Sequence, residues 1–279
     1  MKTIIVPTDF SPAATNAMNY AADMALALKA EILLFHAYSI PVVLGEVPIA
    51  LLSVDELKAS AEAGVEKTKK DLEHITSGKI KIRTLARLGN MVDELEDVCK
   101  EEKPFAVVMG STGASAIERT VFGSNTLTAI KHLTAPVICV PKGTEYGEGI
   151  KKIGLACDFR EVAETTPVKP IREFVEAFNA SFYVLNVDSN NTGFKPDTPE
   201  QSALFHNEFV NLKPEYHFLV HKDIEDGINE FAEKNNLDLI IAIPKKHKLL
   251  EGLFKKSSTR QLVFEAKIPV MCVHEERNN

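Results

Sequence analysis

Ile4-Ile-Val-Pro-Thr-Asp-Phe10 and Ile153-Gly-Leu-Ala-Cys-Asp-Phe159 are both apolar runs that end in Asp-Phe, 149 positions apart. Asp9 therefore corresponds to Asp158. Further along, the offset settles at 133: Ala135-Pro-Val-Ile-Cys-Val140 matches Ile268-Pro-Val-Met-Cys-Val273, and Phe105-Ala-Val-Val-Met109 matches Asp238-Leu-Ile-Ile-Ala242. The second copy is about 16 residues shorter through its middle. A repeat of this length is a duplicated domain, because solenoid units recur every 20–50 residues. Pro141-Lys-Gly-Thr-Glu-Tyr-Gly-Glu-Gly149 is polar, carries three glycines and reads as a short linker. The expected division is residues 1–143 and 150–279.

Within the first copy, β-rich runs alternate with longer segments of helical period. This is the pattern of an α/β fold whose parallel sheet is covered on both faces. Strands are expected near 2–8, 31–37, 79–87, 105–110 and 136–140. Ser11-Pro12 is a helix start, since serine caps open amides and proline is tolerated at the first helical position. Ala14, Met18, Ala21, Ala25 and Leu28 then form one apolar face. Further helices fit about 53–76, 90–102 and 122–132. The second copy repeats this plan, with Pro167 and Pro170 delaying its first helix.

With 279 residues, each half is long enough for its own core, and 45% hydrophobic and 25% charged residues are ordinary for a globular protein. The net charge of −7 divides into −2 for residues 1–143 and −5 for the rest, so neither half has the basic excess of a nucleic-acid binder. Pro7 and Asp9 stop the first apolar run far short of a signal peptide or a spanning helix, and a cytoplasmic protein without a membrane partner is expected. Cys99, Cys139, Cys157 and Cys272 are widely spaced, three of them inside apolar runs, which favours reduced thiols over disulfides. No CxxC or His/Cys cluster has the spacing of zinc ligands.

The stretch that carries chemistry is Val107-Val-Met-Gly-Ser-Thr-Gly-Ala-Ser-Ala-Ile-Glu-Arg-Thr-Val-Phe-Gly-Ser-Asn-Thr126, which follows a strand and runs into a helix. Gly110, Gly113 and Gly123 let a backbone turn sharply or approach a ligand where a Cβ would interfere. Gly123-Ser124-Asn125 falls at a helix amino terminus, where open amides and the helix dipole favour an anion. A phosphate cradle at the carboxyl end of a parallel sheet is one reading. Ordinary loop and capping glycines are the other, and spacing alone does not separate them. The pattern is neither a Walker loop nor Gly-x-Gly-x-x-Gly.

The stretch does match Gly-x2-Gly-x9-Gly-Ser/Thr, and here the chain resembles the universal stress protein family. The resemblance extends through the opening strand ending in Asp9, Leu33-Leu-Phe-His-Ala-Tyr38, Val107-Val-Met-Gly110 and Ala135-Pro-Val137. It implies two tandem Rossmann-like domains, open and doubly wound, each a five-stranded parallel sheet in the order 3-2-1-4-5. It also implies an adenine nucleotide, ATP, ADP or AMP, in the first of them. Pro7, Thr8 and Asp9 would hold ribose and adenine, and the backbone of Ala37 would read the base. Gly110, Thr112, Gly113, Gly123, Ser124 and Asn125 would surround the phosphates, with a Mg ion near the terminal one. For Asp9, a helix-start carboxylate favouring the dipole is an equal alternative.

In the second copy Gly110, Gly113 and Gly123 become Ile243, Lys246 and Lys256, and only Ser124 keeps a hydroxyl, as Ser257. No nucleotide bound in this way is expected there. The cluster Lys245-Lys246-His247-Lys248 with Lys255-Lys256 reads as a solvated loop before it reads as an anion site. Catalytic signatures are missing from the sequence: there is no Gly-x-Ser-x-Gly or His-Glu-x-x-His, and His36 is better read as a strand-end residue than as a base. A nucleotide-binding regulatory protein of the stress response is the first expectation. A weak ATPase, or an interaction module with a structural nucleotide, is the alternative. Domains of the family commonly pair through their fifth strands, so Pro136–Val140 and Pro269–Val273 are expected to meet about a pseudo-two-fold axis, with Cys139 and Cys272 near the seam. Whether the pseudo-dimer pairs again as a homodimer is left open. The connection Pro41-Val-Val-Leu-Gly-Glu-Val-Pro48 is a candidate cover for the site.

Overall fold

The computed structural model describes residues 1–40, 53–111, 124–159, 162–188, 198–244, 262–263 and 265–274. Thr3–Pro7 (β1) is apolar on both faces, with Ile4, Ile5 and Val6 fully buried, as a central strand of a parallel sheet requires. Pro12–Leu28 (α1) starts where Ser11 Oγ accepts the amide of Ala14 and ends at Lys29 in the left-handed region. Glu31–Tyr38 (β2), Val54–Ile75 (α2), Ile82–Leu88 (β3), Met91–Glu102 (α3), Ala106–Gly110 (β4), Ser124–His132 (α4) and Val137–Val140 (β5) complete the first copy. Ser53 and Glu56 close a capping box on α2, and Asn90 caps α3, so these helices begin where local chemistry satisfies their free amides.

The second copy runs Lys152–Ala156 (β6), Val162–Thr165 (α5), Val168–Phe178 (α6), Ser181–Asp188 (β7), Thr198–Phe209 (α7), Glu215–Val220 (β8), Ile224–Asn235 (α8), Leu239–Ala242 (β9) and Val270–Cys272 (β10). A single turn, α5, breaks off before Pro167, and the helix resumes at Val168. Pro170 is accommodated there, in the first turn of α6, where an amide is not needed.

All ten strands form one sheet, ordered β3-β2-β1-β4-β5-β10-β9-β6-β7-β8. Each copy reads 3-2-1-4-5 and is parallel throughout. The copies join where β5 meets β10 antiparallel, with Val137 opposite Cys272, Ile138 opposite Met271 and Cys139 opposite Val270. Because residues 137–139 and 270–272 are counterparts, this pairing maps onto itself about an axis between Ile138 and Met271. The apolar core crosses the seam on both faces. Ile138, Val140, Met271 and Val273 lie in one cluster, and Val137, Cys139, Val270 and Cys272 in the other.

Side chains also cross the seam. Phe105 stacks on Phe174 of α6 with ring centroids 5.3 Å apart and planes 8° from parallel, and the Lys2 ammonium sits 4.1 Å above Phe105. The counterpart of Phe105, Asp238, instead accepts the amides of Lys151 and Lys152, both at 2.8 Å. Asn16 ties α1 to the linker through the carbonyls of Pro141 (3.1 Å) and Thr144 (3.4 Å). His274, just past β10, hydrogen-bonds the Ile130 carbonyl near the carboxyl end of α4. None of the four cysteines is in a disulfide, and burial pushes the Cys272 thiol up to about 12 and Cys139 upward as well.

At the amino ends of the strands, buried Glu31 gathers Thr3 (3.1 Å), Lys81 (2.8 Å) and Arg83 (2.9 Å), and Arg83 reaches on to Glu102 of α3 at 2.6 Å. The Lys81 ammonium and Arg83 guanidinium hold the Glu31 carboxyl below its ordinary value, and Arg83 does the same for Glu102. A depressed carboxylate stabilises the fold above the ordinary glutamate value of 4.5 and loses that contribution as pH falls through its folded value. Glu31→Gln is therefore expected to be less stable than wild type at neutral pH, with the gap closing in acid. Urea melts between pH 7 and pH ~3 check this, and a gap independent of pH would contradict it.

Candidate functional site

The site is built at the carboxyl ends of β1, β2 and β4, where β1 stops before its neighbour does. The last β1–β2 pair is Pro7 with Phe35, whereas β2 continues to Tyr38 beside β3. The Thr8 amide donates to the Phe35 carbonyl (2.8 Å), and the Gly89 amide donates to the Tyr38 carbonyl on the other side (2.9 Å). Along β2, odd residues thus turn their main-chain groups toward β1 and even residues toward β3. Ala37 is odd and lies beyond the last β1 pair. Its N–H and C=O project over the end of β1.

Thr8 itself is buried, and its hydroxyl accepts the Phe10 amide at 3.0 Å. The chain then passes through a left-handed Phe10 (φ 62°) before α1 begins. Exposed Asp9 accepts the Ser11 amide at 3.0 Å with Oδ1, so part of its role is to start the helix. His36 Nδ1 lies 2.7 Å from the Thr8 carbonyl. A carbonyl only accepts, so Nδ1 carries the proton and Nε2 is the acceptor of the neutral ring. His36 is a half-buried strand-end residue that fixes the Thr8 peptide, and its ring contacts Phe10 at 4.6 Å.

Sequence reasoning gave Phe10 no role. Its left-handed backbone recurs at Phe159 (φ 50°), so the repeated Asp-Phe pair was the available signal. Room for its ring comes from Gly64 of α2, where an added Cβ would lie 2.8 Å from Phe10 Cζ.

Gly110 ends β4 with no left-handed backbone. A Cβ there would lie 2.6 Å from the Ala13 carbonyl oxygen. Its small size is thus already required by the close approach of β4 to the first turn of α1. The Thr126 hydroxyl donates to the Gly110 carbonyl at 3.1 Å and ties the start of α4 to the same strand end. Asn125 is exposed in the first turn of α4, which Ser124 begins. Thr112, Gly113 and Gly123 lie outside the described residues, as does the 41–48 connection.

The second copy keeps the same frame at the end of β6. The Cys157 amide donates to Leu185 (2.9 Å), and Asn186 stands where His36 does, donating to the Cys157 carbonyl at 2.9 Å. Beyond the frame, the two differ. Phe159 is buried among Phe205, Tyr216 and Phe218, whereas Phe10 is 43% exposed. Ile243 replaces Gly110 and packs into the core. Lys245 to Lys248, Lys255, Lys256 and Ser257 lie outside the described residues.

The sequence profile of the universal stress protein family matches residues 1–141 and again 149–274. A universal stress protein of Methanocaldococcus jannaschii is 29% identical over 144 residues, spanning 50% of this chain and 82% of its own length. Among solved structures, a universal stress protein from Archaeoglobus fulgidus superposes with a TM-score of 0.74 at 16% identity, over 98% of both chains. A protein of unknown function from Pseudomonas aeruginosa superposes at 0.62 with 9% identity, covering 99% of this chain and 93% of its own. At these identities the structural matches speak for the fold. Among the described residues, no helix is long and apolar enough to cross a membrane.

Proposed function

The chain belongs to the universal stress protein family, and from that premise we propose that its first copy binds an adenine nucleotide and acts as a regulatory sensor. The observation that carries this reading is the position of Ala37, whose N–H and C=O stand side by side over the end of β1. A ring nitrogen next to an exocyclic amine, as on adenine, is the complement of such a pair. Exposed Asp9 lies next to the end of β1 and suits a ribose hydroxyl, with Pro7 and Thr8 forming the floor.

The phosphates would lie toward Gly110, Thr112, Gly113, Gly123, Ser124 and Asn125. There the amino terminus of α4 supplies open amides and the positive end of its dipole. A Mg ion would ride on the phosphates and offset their charge. The first copy has this glycine set, and the second carries Ile243, Lys246 and Lys256 in its place, so one nucleotide per chain is expected.

The test is calorimetric titration of nucleotide-free protein with Mg-ATP, beside Gly123→Lys, which copies the residue of the second half. One site of about micromolar affinity, near −8 kcal/mol, is expected in wild type and lost in the variant. Silence in both, repeated in an equilibrium dialysis that does not rely on heat, overturns the reading. Steady-state phosphate release then separates a sensor from a weak ATPase, and a nucleotide-dependent change in protease sensitivity separates a sensor from a module with a structural nucleotide.

A further inference from the structure

The linker begins inside the frame of the candidate nucleotide site. Pro141 follows the last residue of β5, and the chain turns at once, with the Thr144 amide donating to the Pro141 carbonyl at 3.1 Å and Gly143 at φ 75°. Two neighbours hold this turn. Buried Ser111, the residue after Gly110, donates both its amide (2.8 Å) and its hydroxyl (3.2 Å) to the Val140 carbonyl. Asn16, in the second turn of α1, donates from Nδ2 to the carbonyls at both ends of the turn, Pro141 and Thr144.

The same stretch touches the second copy. The Thr144 hydroxyl donates to the Lys267 carbonyl at 3.5 Å, shortly before β10. The Lys267 ammonium in turn lies 2.5 Å from a Glu233 carboxylate oxygen on α8. Tyr146 sets its ring edge-on against Tyr20, one turn beyond Asn16 on α1, with centroids 5.2 Å apart. Asn16, Tyr20 and Asp23 lie on one stripe of the helix. At Asp23 the contact turns unfavourable: partial burial, and then the negative charge of Glu145, raise its carboxyl above the ordinary value. The linker is thus held on α1 by hydrogen bonds and a ring contact and opposed by a like charge, a balance that leaves room for a second, released arrangement.

We propose that the linker, residues 141–149, is a strap whose hold on α1 tightens when the nucleotide site of the first copy is filled, so that occupancy there is passed to the second copy at Lys267. This rests on the nucleotide reading above. Asp9 and Phe10 lead into α1, and the Ala13 carbonyl packs directly on Gly110. A nucleotide lying between Asp9 and the end of β4 would bridge the start of α1 and the strand end that carries Ser111. Those are the two elements that hold the turn. A ligand that orders both reduces the ordering that docking must still supply, which is positive coupling without a new contact. By linkage, releasing the strap weakens nucleotide binding by the factor with which nucleotide strengthens docking.

Amide exchange of the full chain, read by mass spectrometry with and without saturating Mg-ATP, tests this in wild type, Asn16→Ala and Gly143→Val. An added Cβ at Gly143 meets nothing within 4 Å, so valine acts there only by refusing the left-handed backbone. In wild type, Mg-ATP is expected to slow exchange across 142–149 about tenfold. Asn16→Ala is expected to lose most of that response and to bind Mg-ATP several-fold more weakly. If Asn16→Ala folds poorly, Gly143→Val, at an exposed position, gives the same reading. Unchanged exchange across 142–149 in a wild type that binds Mg-ATP overturns the strap and spares the nucleotide reading, whereas absence of binding removes both. Variants whose linker responds as the wild type does also overturn it.

Discussion

Replacing Val137 and Val270 together by aspartate is expected to leave no cooperatively folded chain. Both side chains are buried at the β5–β10 seam, 1% and 0% exposed, on one face of the sheet and diagonal to one another. Removing one partner of a buried ion pair, which leaves a charge unpaired in a core, costs about 3–5 kcal/mol. Two such charges approach the whole stability of an ordinary domain, roughly 5–15 kcal/mol. The milder pair Val137→Thr and Val270→Thr, which keeps shape and adds a hydroxyl, makes the effect measurable. Here the first substitution loosens the strand pairing that the second would also disturb. The double variant should therefore lose less than the sum of the singles, by about 0.5–3 kcal/mol. Strict additivity in urea melts would mean that the two strands do not sense each other.

Gly110→Ala is expected to be nearly as damaging as Gly110→Ile, although alanine adds a single methyl. The obstacle is at Cβ itself, 2.6 Å from the Ala13 carbonyl oxygen and 2.9 Å from its carbon, and it is backbone that cannot rotate away. The first turn of α1 has to shift, at a cost of about 1–3 kcal/mol for overpacking. For a chain of this size that corresponds to a fall in melting temperature of roughly 2–4 °C per kcal/mol. An alanine variant that melts with wild type would refute the close-packing account. The shift would also carry Asp9 and Phe10 with it, so weaker nucleotide binding in these variants would not identify Gly110 as a ligand contact. Gly123→Lys, farther from this contact in the chain, is the cleaner probe.

Much of this architecture was legible because its signals are local and repeated. Two Asp-Phe strand ends announced the duplication and Ser11-Pro12 placed the start of α1, whereas Pro167 and Pro170, expected to delay its counterpart, instead leave a first turn at Val162–Thr165 and break the helix before it resumes at Val168. The third strand was expected to begin at residue 79. It begins at Ile82, because the chain first turns out of α2 through Gly78 at φ 66°. What the sequence could not convey depends on relative lengths and distances. Ala37 is an ordinary strand residue until one knows that β1 stops at Pro7. Gly110 looks like a ligand glycine until Ala13 is found beside it.

The seam at Phe105 and Asp238 has a consequence for how such a molecule can diverge. In an assembly of two identical chains every substitution appears on both sides of the axis, and a residue must tolerate its own mirror role. Joining the copies in one polypeptide removes that constraint. Phe105 can stack across the axis on Phe174 while Asp238, its counterpart, pins the amides of Lys151 and Lys152. Each half is free to specialise because its partner is always present, at a ratio of one to one that no dilution can change.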